Sequence, residues 1–249
     1  MTKPLTVVGH RGFRSRYPEN TLVSFRKALE FGLATLEFDV HPTRDGHLVI
    51  THDHDLDRCS NGHGPVHDLT LDELRALDFG AWKAPEFAHT AIPTLDETLD
   101  VIYGARPHDA FALIELKEDD DGCTRLTLDA CRRHGILDRC LILSFHYRQL
   151  QFLRRLEPTL LLQGFPDSYV PAPLGQPPET LVNKLCLWTR DATPEAVADL
   201  QRRGLAVDLY PVDTPDELER ALATTCDSIT TNCPDVICPL LDERNVPWH

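Results

Sequence analysis

The run Leu5-Thr6-Val7-Val8 breaks at Gly9-His10-Arg11-Gly12, and the run Thr35-Leu36-Glu37-Phe38-Asp39-Val40 then sets two acids inside an apolar stretch. Between them, Asn20-Thr21 reads as a helix start. Leu22, Phe25, Leu29 and Leu33 recur at helical spacing, and Gly32 ends the helix. A strand, a helix and a second strand therefore fit within residues 5–40. Residues two apart on a strand point to the same face, so Glu37 and Asp39 place two carboxylates side by side. Two acids buried together repel, and one is driven to protonate unless a cation sits nearby. Thr43-Arg44-Asp45-Gly46 is a turn, and Leu48-Val49-Ile50 is a short strand that leads to His52-Asp53. His10 and His52, each just past a strand and beside the acid pair, look like acid and base around a metal.

Beyond Asp53 the periodicity fades as far as Pro93, with one short helical piece at Leu71 to Leu77, so this region reads as an insertion. Regular alternation then resumes. Thr94-Leu95-Asp96-Glu97 has capping-box spacing and starts a helix to about Tyr103. Phe111 to Leu116 is a strand, and Cys123 to His134 is a helix closed by Gly135. The strand at Leu141 to Ser144, the helix at Tyr147 to Leu156 and the strand at Leu160 to Leu162 follow. Pro166 to Pro178, with five prolines, is a loop. Lys184 to Leu187, Ala206 to Tyr210 and Ser228 to Thr230 are strands. Helices begin at Thr193-Pro194 and Thr214-Pro215, with proline in the first position, and Pro234 to Leu241 closes the chain. Eight core strands, near residues 5, 35, 111, 141, 160, 184, 206 and 228, are mostly followed by helices. That alternation makes a parallel sheet, and eight units at this length predict one α/β domain over residues 1–249. Its fold is a (β/α)8 TIM barrel with a small insertion after the second strand, about residues 53–93. A doubly wound sheet lacks support, because no G-x-G-x-x-G follows the first strand.

Composition narrows the partners. With 249 residues, 42% of them hydrophobic and 26% charged, the chain can bury a full core. A formal net charge of −14 argues against nucleic acid or an anionic membrane surface, which need basic patches. No apolar run reaches the length of a membrane span. Met1-Thr2-Lys3-Pro4 passes straight into a strand without a signal-peptide core, so a cytoplasmic location is expected. The eight cysteines include no C-x-x-C pair and read as reduced thiols packed as small hydrophobes. Homodimerisation is left open.

Catalytic groups in a parallel barrel gather at the C-terminal strand ends. His10 sits there on the first strand, Glu37 and Asp39 on the second, and Glu115 and Lys117 on the third. Three carboxylates in one mouth form an oxygen-rich cage suited to Mg2+ or Ca2+ rather than zinc. The alternative makes the acids surface charges near a loop. Arg11 and Lys117 are the cations an anionic substrate would need. Arginine binds two phosphate oxygens with its planar fork, although an ordinary ion pair of Arg11 with Glu19 or Glu37 also fits. Of 12 histidines, His41, His47, His54, His63, His67 and His89 fall among the packed or surface class.

These residues carry a resemblance. His10-Arg11-Gly12, Pro18-Glu19-Asn20-Thr21, Glu37-Phe38-Asp39-Val40, Thr43-Arg44-Asp45-Gly46, His52-Asp53, Ile92-Pro93-Thr94-Leu95, Glu115-x-Lys117 and Ser144-Phe145 resemble, in order, the glycerophosphodiester phosphodiesterase family. The match spans nearly the whole chain. It implies a (β/α)8 barrel with an insertion after the second strand. The implied activity is divalent-metal-dependent hydrolysis of small-molecule glycerophosphodiesters to an alcohol and sn-glycerol 3-phosphate. By position it implies Glu37, Asp39 and Glu115 as metal ligands, His10 and His52 as acid and base, and Arg11 and Lys117 as phosphate binders. The C-terminal third departs from the family pattern. Val207-Asp208-Leu209-Tyr210-Pro211 stands where the family has Val-x-x-Trp-Thr, and Thr231-Asn232-Cys233-Pro234 stands where it has Thr-Asp-x-Pro. These changes are expected to bear on headgroup preference and to leave the metal and histidine sites untouched.

Two rivals are weighed. A phospholipase-D-like lyase acting on sphingomyelin or lysolipids shares the barrel and motifs, but such enzymes are typically secreted and disulfide-bonded. A non-catalytic barrel that binds a phosphorylated metabolite would be expected to lose a histidine or carboxylate, and here all five are present.

Overall fold

A computed structural model describes residues 4–170 and 180–249. The N-terminal Met1-Thr2-Lys3 and residues 171–179 of the proline-rich loop lie outside the described residues. In chain order the first elements are β1 (Thr6–His10), α1 (Leu22–Phe31), β2 (Thr35–Pro42), β3 (Leu48–Ile50), α2 (Leu71–Arg75), α3 (Leu95–Ala105) and β4 (Phe111–Leu116). Then come α4 (Asp121–Arg133), β5 (Cys140–Leu143), α5 (Tyr147–Leu156), β6 (Leu161–Gly164) and β7 (Lys184–Trp188). The chain finishes with α6 (Pro194–Arg202), β8 (Ala206–Tyr210), α7 (Pro215–Thr224), β9 (Ser228–Thr231) and α8 (Pro234–Glu243).

The sheet runs β1-β9-β8-β7-β6-β5-β4-β2, and β1 also pairs with β2, so eight parallel strands close on themselves. β3 is the extra strand, antiparallel on the edge of β2 beyond the barrel. This is a (β/α)8 barrel, as the alternation of runs predicted.

The two faces of the closed sheet explain the strand sequences. Leu36, Phe38 and Val40 of β2, with Ala112, Ile114 and Leu116 of β4, pack outward against Phe25, Leu99 and Ile102 of the helices. Phe25 and Phe38 meet edge-on at 5.7 Å and are fully buried, and truncating either should cost about 3–5 kcal/mol. The alternate residues point into the barrel, where Val8, Leu113, Leu141, Leu143, Phe165 and Cys186 form a second, smaller cluster. Glu37 and Asp39 fall on that inner face. The parallel register sets His10 beside Glu37, and Asp39 beside Glu115. Strand pleat and register thus bring the acids of two strands together.

The helices start where their caps predict. Thr21 Oγ1 accepts from Ser24 N, and reciprocal capping boxes close at Thr94/Glu97 and Thr214/Glu217. The helix expected at Leu71 to Leu77 is shorter, ending at Arg75. The weakly periodic segment after Asp53 builds a core of its own from Leu56, Val66, Leu74, Phe79 and Ile92 against Val49 of β3. The cysteines Cys123, Cys131, Cys140, Cys186 and Cys238 are buried as free thiols. No helix among the described residues is long and apolar enough to cross a membrane.

Candidate active site

β1 ends at His10 and turns at once, with Arg11 at φ +55° and Gly12 at φ +87°. A Cβ on Gly12 would lie 2.4 Å from Ser24 Oγ, so the turn requires glycine. Ser24 Oγ accepts from Phe13 N (2.8 Å) and donates to the Arg11 carbonyl (3.1 Å), while Arg11 N donates to Glu37 Oε2 (3.1 Å). Left-handed backbone at a non-glycine residue costs about 1–3 kcal/mol. Here these hydrogen bonds hold it, and they aim the Arg11 side chain inward.

Glu37, Asp39 and Glu115 are all buried, and one carboxylate oxygen from each lies within 4.8 Å of the others. Burial and the facing charges of Asp39 and Glu115 push the Glu37 carboxyl well up. Burial likewise raises Glu115. Burial would raise Asp39 too, but Arg11 and Lys117 outweigh it and hold that group down. Asn20, itself at φ +58°, donates to Asp39 Oδ2 at 2.8 Å. Glu37 Oε1 and Asp39 Oδ1 are buried without a hydrogen bond among the described residues, although Lys117 Nζ lies 3.5 Å from Asp39 Oδ1. Orphaned oxygens in an all-oxygen donor set are what a hard divalent cation satisfies. The residues present therefore fit Mg2+ or Ca2+.

Each histidine beside this cage is fixed through Nδ1. His10 Nδ1 lies 2.6 Å from Asn232 Oδ1. Asn232 Nδ2 donates to Asp213 Oδ2 at 2.6 Å and Arg14 Nη1 donates to Asn232 Oδ1 at 3.1 Å, so that oxygen faces donors only. His10 must then carry its proton on Nδ1, leaving a lone pair on Nε2. Burial and the Arg11 charge push the imidazole down to about 3, which keeps it neutral. His52 Nδ1 is 2.5 Å from Asp53 Oδ1. Burial would raise Asp53, yet hydrogen bonds from Arg58 and His52 hold it at about 2. Burial lowers His52 in turn. Both rings are thus oriented by a second group that selects the tautomer.

The two cations sit among the acids. Lys117 Nζ donates to Glu115 Oε1 at 2.7 Å. Arg11 Nη1 donates to Glu19 Oε1 at 2.7 Å, and Arg11 Nε lies 3.2 Å from Asp39 Oδ2. Arg11 is therefore paired with Glu19, one of the two partners weighed from sequence, while it also lines the pocket. Glu19 binds Arg14 and Arg58 as well.

All of this opens into a cleft of about 170 Å3 at the C-terminal strand ends. His10, Arg11, Glu37, His52, Glu115 and Lys117 line one side. The other is apolar and aromatic: Leu143, Phe145, Phe165, Tyr169, Trp188 and Tyr210. Phe145 stacks on Phe165 at 3.6 Å, and Tyr210 lies 4.7 Å from the His10 ring.

The sequence profile of the glycerophosphoryl diester phosphodiesterase family matches residues 10–236. The chain belongs to that family. A glycerophosphodiester phosphodiesterase of Caldanaerobacter subterraneus is 30% identical over 238 residues, covering 94% of this chain and 97% of the relative. A phosphodiesterase from Oleispira antarctica, solved in complex with the product sn-glycerol-3-phosphate, is 26% identical. It superposes with a TM-score of 0.86, covering 96% of this chain and 97% of its own. A glycerophosphodiester phosphodiesterase from Agrobacterium tumefaciens is 26% identical with a TM-score of 0.81, covering 94% and 99%. This chain is accordingly an enzyme of the phosphodiesterase class.

The fold of this phosphodiesterase brings together all seven residues singled out from sequence. It also corrects one expectation. The departures at Tyr210 and Asn232 do not leave the histidine site untouched, because Asn232 is the partner of His10 Nδ1 and Tyr210 packs on its ring. Glu19, Asn20, Arg58, Asp213 and Gln163 were not assigned a site role from sequence. Gln163 faces the pocket from β6, which runs to Gly164, beyond the end expected at Leu162. Pro18-Glu19-Asn20-Thr21 carried the available signal for Glu19 and Asn20, since a buried acid and amide before a helix cap need partners.

Proposed function

We propose that this phosphodiesterase hydrolyses glycerophosphodiesters to an alcohol and sn-glycerol 3-phosphate, using His10 and His52 as acid and base. The observation that supports this most is two histidines, each held at Nδ1, beside a buried carboxylate trio and two cations. The product bound by the Oleispira relative supports the substrate class.

Glu37, Asp39 and Glu115 would hold Mg2+ or Ca2+. When bound, such a cation draws negative charge off the phosphoryl oxygens. Arg11 and Lys117 bind and orient the phosphate within the cleft, and fixed charge of this kind is commonly the largest catalytic contribution. Nε2 of one histidine takes the proton of the attacking oxygen, either water or the neighbouring glycerol hydroxyl. Nε2 of the other, in a ring protonated at both nitrogens, gives its proton to the leaving alkoxide. Asn232 and Asp53 each hold a proton on Nδ1, so Nε2 is the atom that exchanges protons in either role. The whole chain works as one barrel domain, to which the 53–93 insertion contributes Arg58. Eight free thiols suit a reducing cytoplasm.

The apolar wall of Leu143, Phe145 and Phe165 favours a second reading, a lysolipid substrate whose chain lies along it. The deciding experiment measures sn-glycerol 3-phosphate released from glycerophosphocholine, glycerophosphoethanolamine and glycerophosphoglycerol, and choline released from lysophosphatidylcholine in parallel. Each is run after chelation and again with Mg2+ or Ca2+ restored. Metal-restored release from the water-soluble diesters supports the proposal. Turnover of the lysolipid alone would replace it with the second reading.

A further inference from the structure

Outside the carboxylate trio, His41 at the end of β2, His54 in the loop after β3 and Glu118 just past β4 converge on one point. His41 Nδ1 and His54 Nδ1 each lie 2.9 Å from the same oxygen, Glu118 Oε1. The two rings meet nearly perpendicular, 5.1 Å apart at 83°. The His41 ring is 1% exposed, Glu118 is 24% exposed and His54 is 60% exposed, so the cluster reaches from the interior to solvent.

The His41 ring is held at both nitrogens. Its Nε2 lies 3.2 Å from the His52 carbonyl oxygen, which can only accept, so Nε2 carries the ring proton. A neutral His41 then presents a lone pair at Nδ1 to a carboxylate oxygen at 2.9 Å. Those two acceptors repel unless a positive centre, a proton on Nδ1 or a metal ion, lies between them. A metal-ligating histidine commonly donates its second ring N–H to a backbone carbonyl, which is the arrangement found here. Ligands about 2.0–2.1 Å from a tetrahedral zinc stand roughly 3.3 Å apart. The present 2.9 Å contacts need to open by only a few tenths of an ångström.

We propose that His41 Nδ1, His54 Nδ1 and the Glu118 carboxylate form a second metal site, selective for Zn2+ or a similar transition metal, with a solvent-facing fourth position. Two imidazoles and one carboxylate suit zinc, whereas the all-oxygen trio of Glu37, Asp39 and Glu115 suits Mg2+ or Ca2+. The sites share no residue. Metal here ties together the segments that follow Asp39, His52 and Glu115, and fixes the carbonyl of His52. The site stands independently of the catalytic proposal.

The test titrates the full chain with Zn2+ by calorimetry at saturating Mg2+, and with Co2+ by visible absorption. His54→Ala and Glu118→Gln alter side chains at or near the surface, and circular dichroism confirms that each variant is folded. The expected result is one equivalent of Zn2+ bound by the wild type and a four-coordinate cobalt spectrum. Each variant should weaken binding about 10- to 100-fold, and Glu37→Gln should bind zinc as the wild type does. Zinc affinity unchanged in both cluster variants would overturn the assignment. So would loss of zinc in Glu37→Gln with retention in His54→Ala, which would put the metal in the carboxylate trio. Absence of binding by the wild type would overturn it as well.

Discussion

Glu19→Gln keeps the shape of a buried side chain and removes the charge on which three arginines converge. Glu19 Oε1 accepts from Arg11 Nη1 (2.7 Å) and Arg58 Nη2 (2.8 Å), and Oε2 accepts from Arg14 Nε (2.7 Å) and Arg58 Nη1 (3.1 Å). An amide would turn N–H groups toward one pair of these donors. Arg11 is almost fully buried, so its contact is a charged hydrogen bond of about 1.5–3 kcal/mol. The side chains of Arg14 and Arg58 are about a third exposed, and solvent screening reduces each of their pairs to roughly 0.2–1 kcal/mol. The expected loss is about 3 kcal/mol, or roughly 6–12 °C in Tm for a chain of this size. The pH dependence has a definite sign. Burial would raise the Glu19 carboxyl, but the Arg58 hydrogen bond and the charges of Arg11 and Arg14 hold it well below the usual range. Its contribution is therefore complete above the unfolded value near 4.3 and is lost as pH falls below it. Thermal melts of wild type and variant from pH 7 to pH 3 should show a gap that is full at neutrality and narrows below about pH 4. A gap that stayed constant to pH 3, or a variant as stable as wild type at pH 7, would refute the reasoning.

Asn232→Asp should lower kcat by about 10- to 100-fold, because it sets a second carboxylate against Asp213, and adding Asp213→Asn should recover much of the loss. Steady-state kinetics on the single and double variants decides this. Gly12→Ala forces a side chain into φ +87° and against Ser24; urea denaturation should report a loss of about 2 kcal/mol or more. Ca2+ or Mg2+ restored after chelation should raise Tm, and the effect should disappear in Glu37→Gln. Calorimetry should find cation binding tightening as pH rises, since Glu37 is pushed up by burial and its neighbouring acids and must lose its proton to solvent before it can bind the metal.

Much of the site was legible because it is written locally. Glycine at a strand end, acids two apart inside an apolar run, and a histidine beside an aspartate each imply a geometry without knowledge of the rest of the chain. Parallel register then did what the pleat suggested, setting His10 against Glu37 and Asp39 against Glu115. The parts that were missed depend on distance along the chain. Asn232 lies 222 residues from His10, and Arg58 lies 39 from Glu19. No local pattern announces such a meeting, which arises only when the barrel closes β9 onto β1. The departure from the usual aspartate at Asn232 was expected to leave the histidine site untouched, yet Asn232 contacts His10 directly. In the fold, its amide fixes a histidine tautomer.

The central claim is that two histidines, rather than the cation cage alone, carry out proton transfer. Turnover of His10→Ala and His52→Ala on a glycerophosphodiester, at saturating cation and with cation binding measured by calorimetry on the same samples, tests it most directly. Both variants should bind the cation as the wild type does and lose about 10²–10⁴-fold in kcat. A His52→Ala enzyme that turned over near the wild-type rate, with its cation bound, would contradict the two-histidine account.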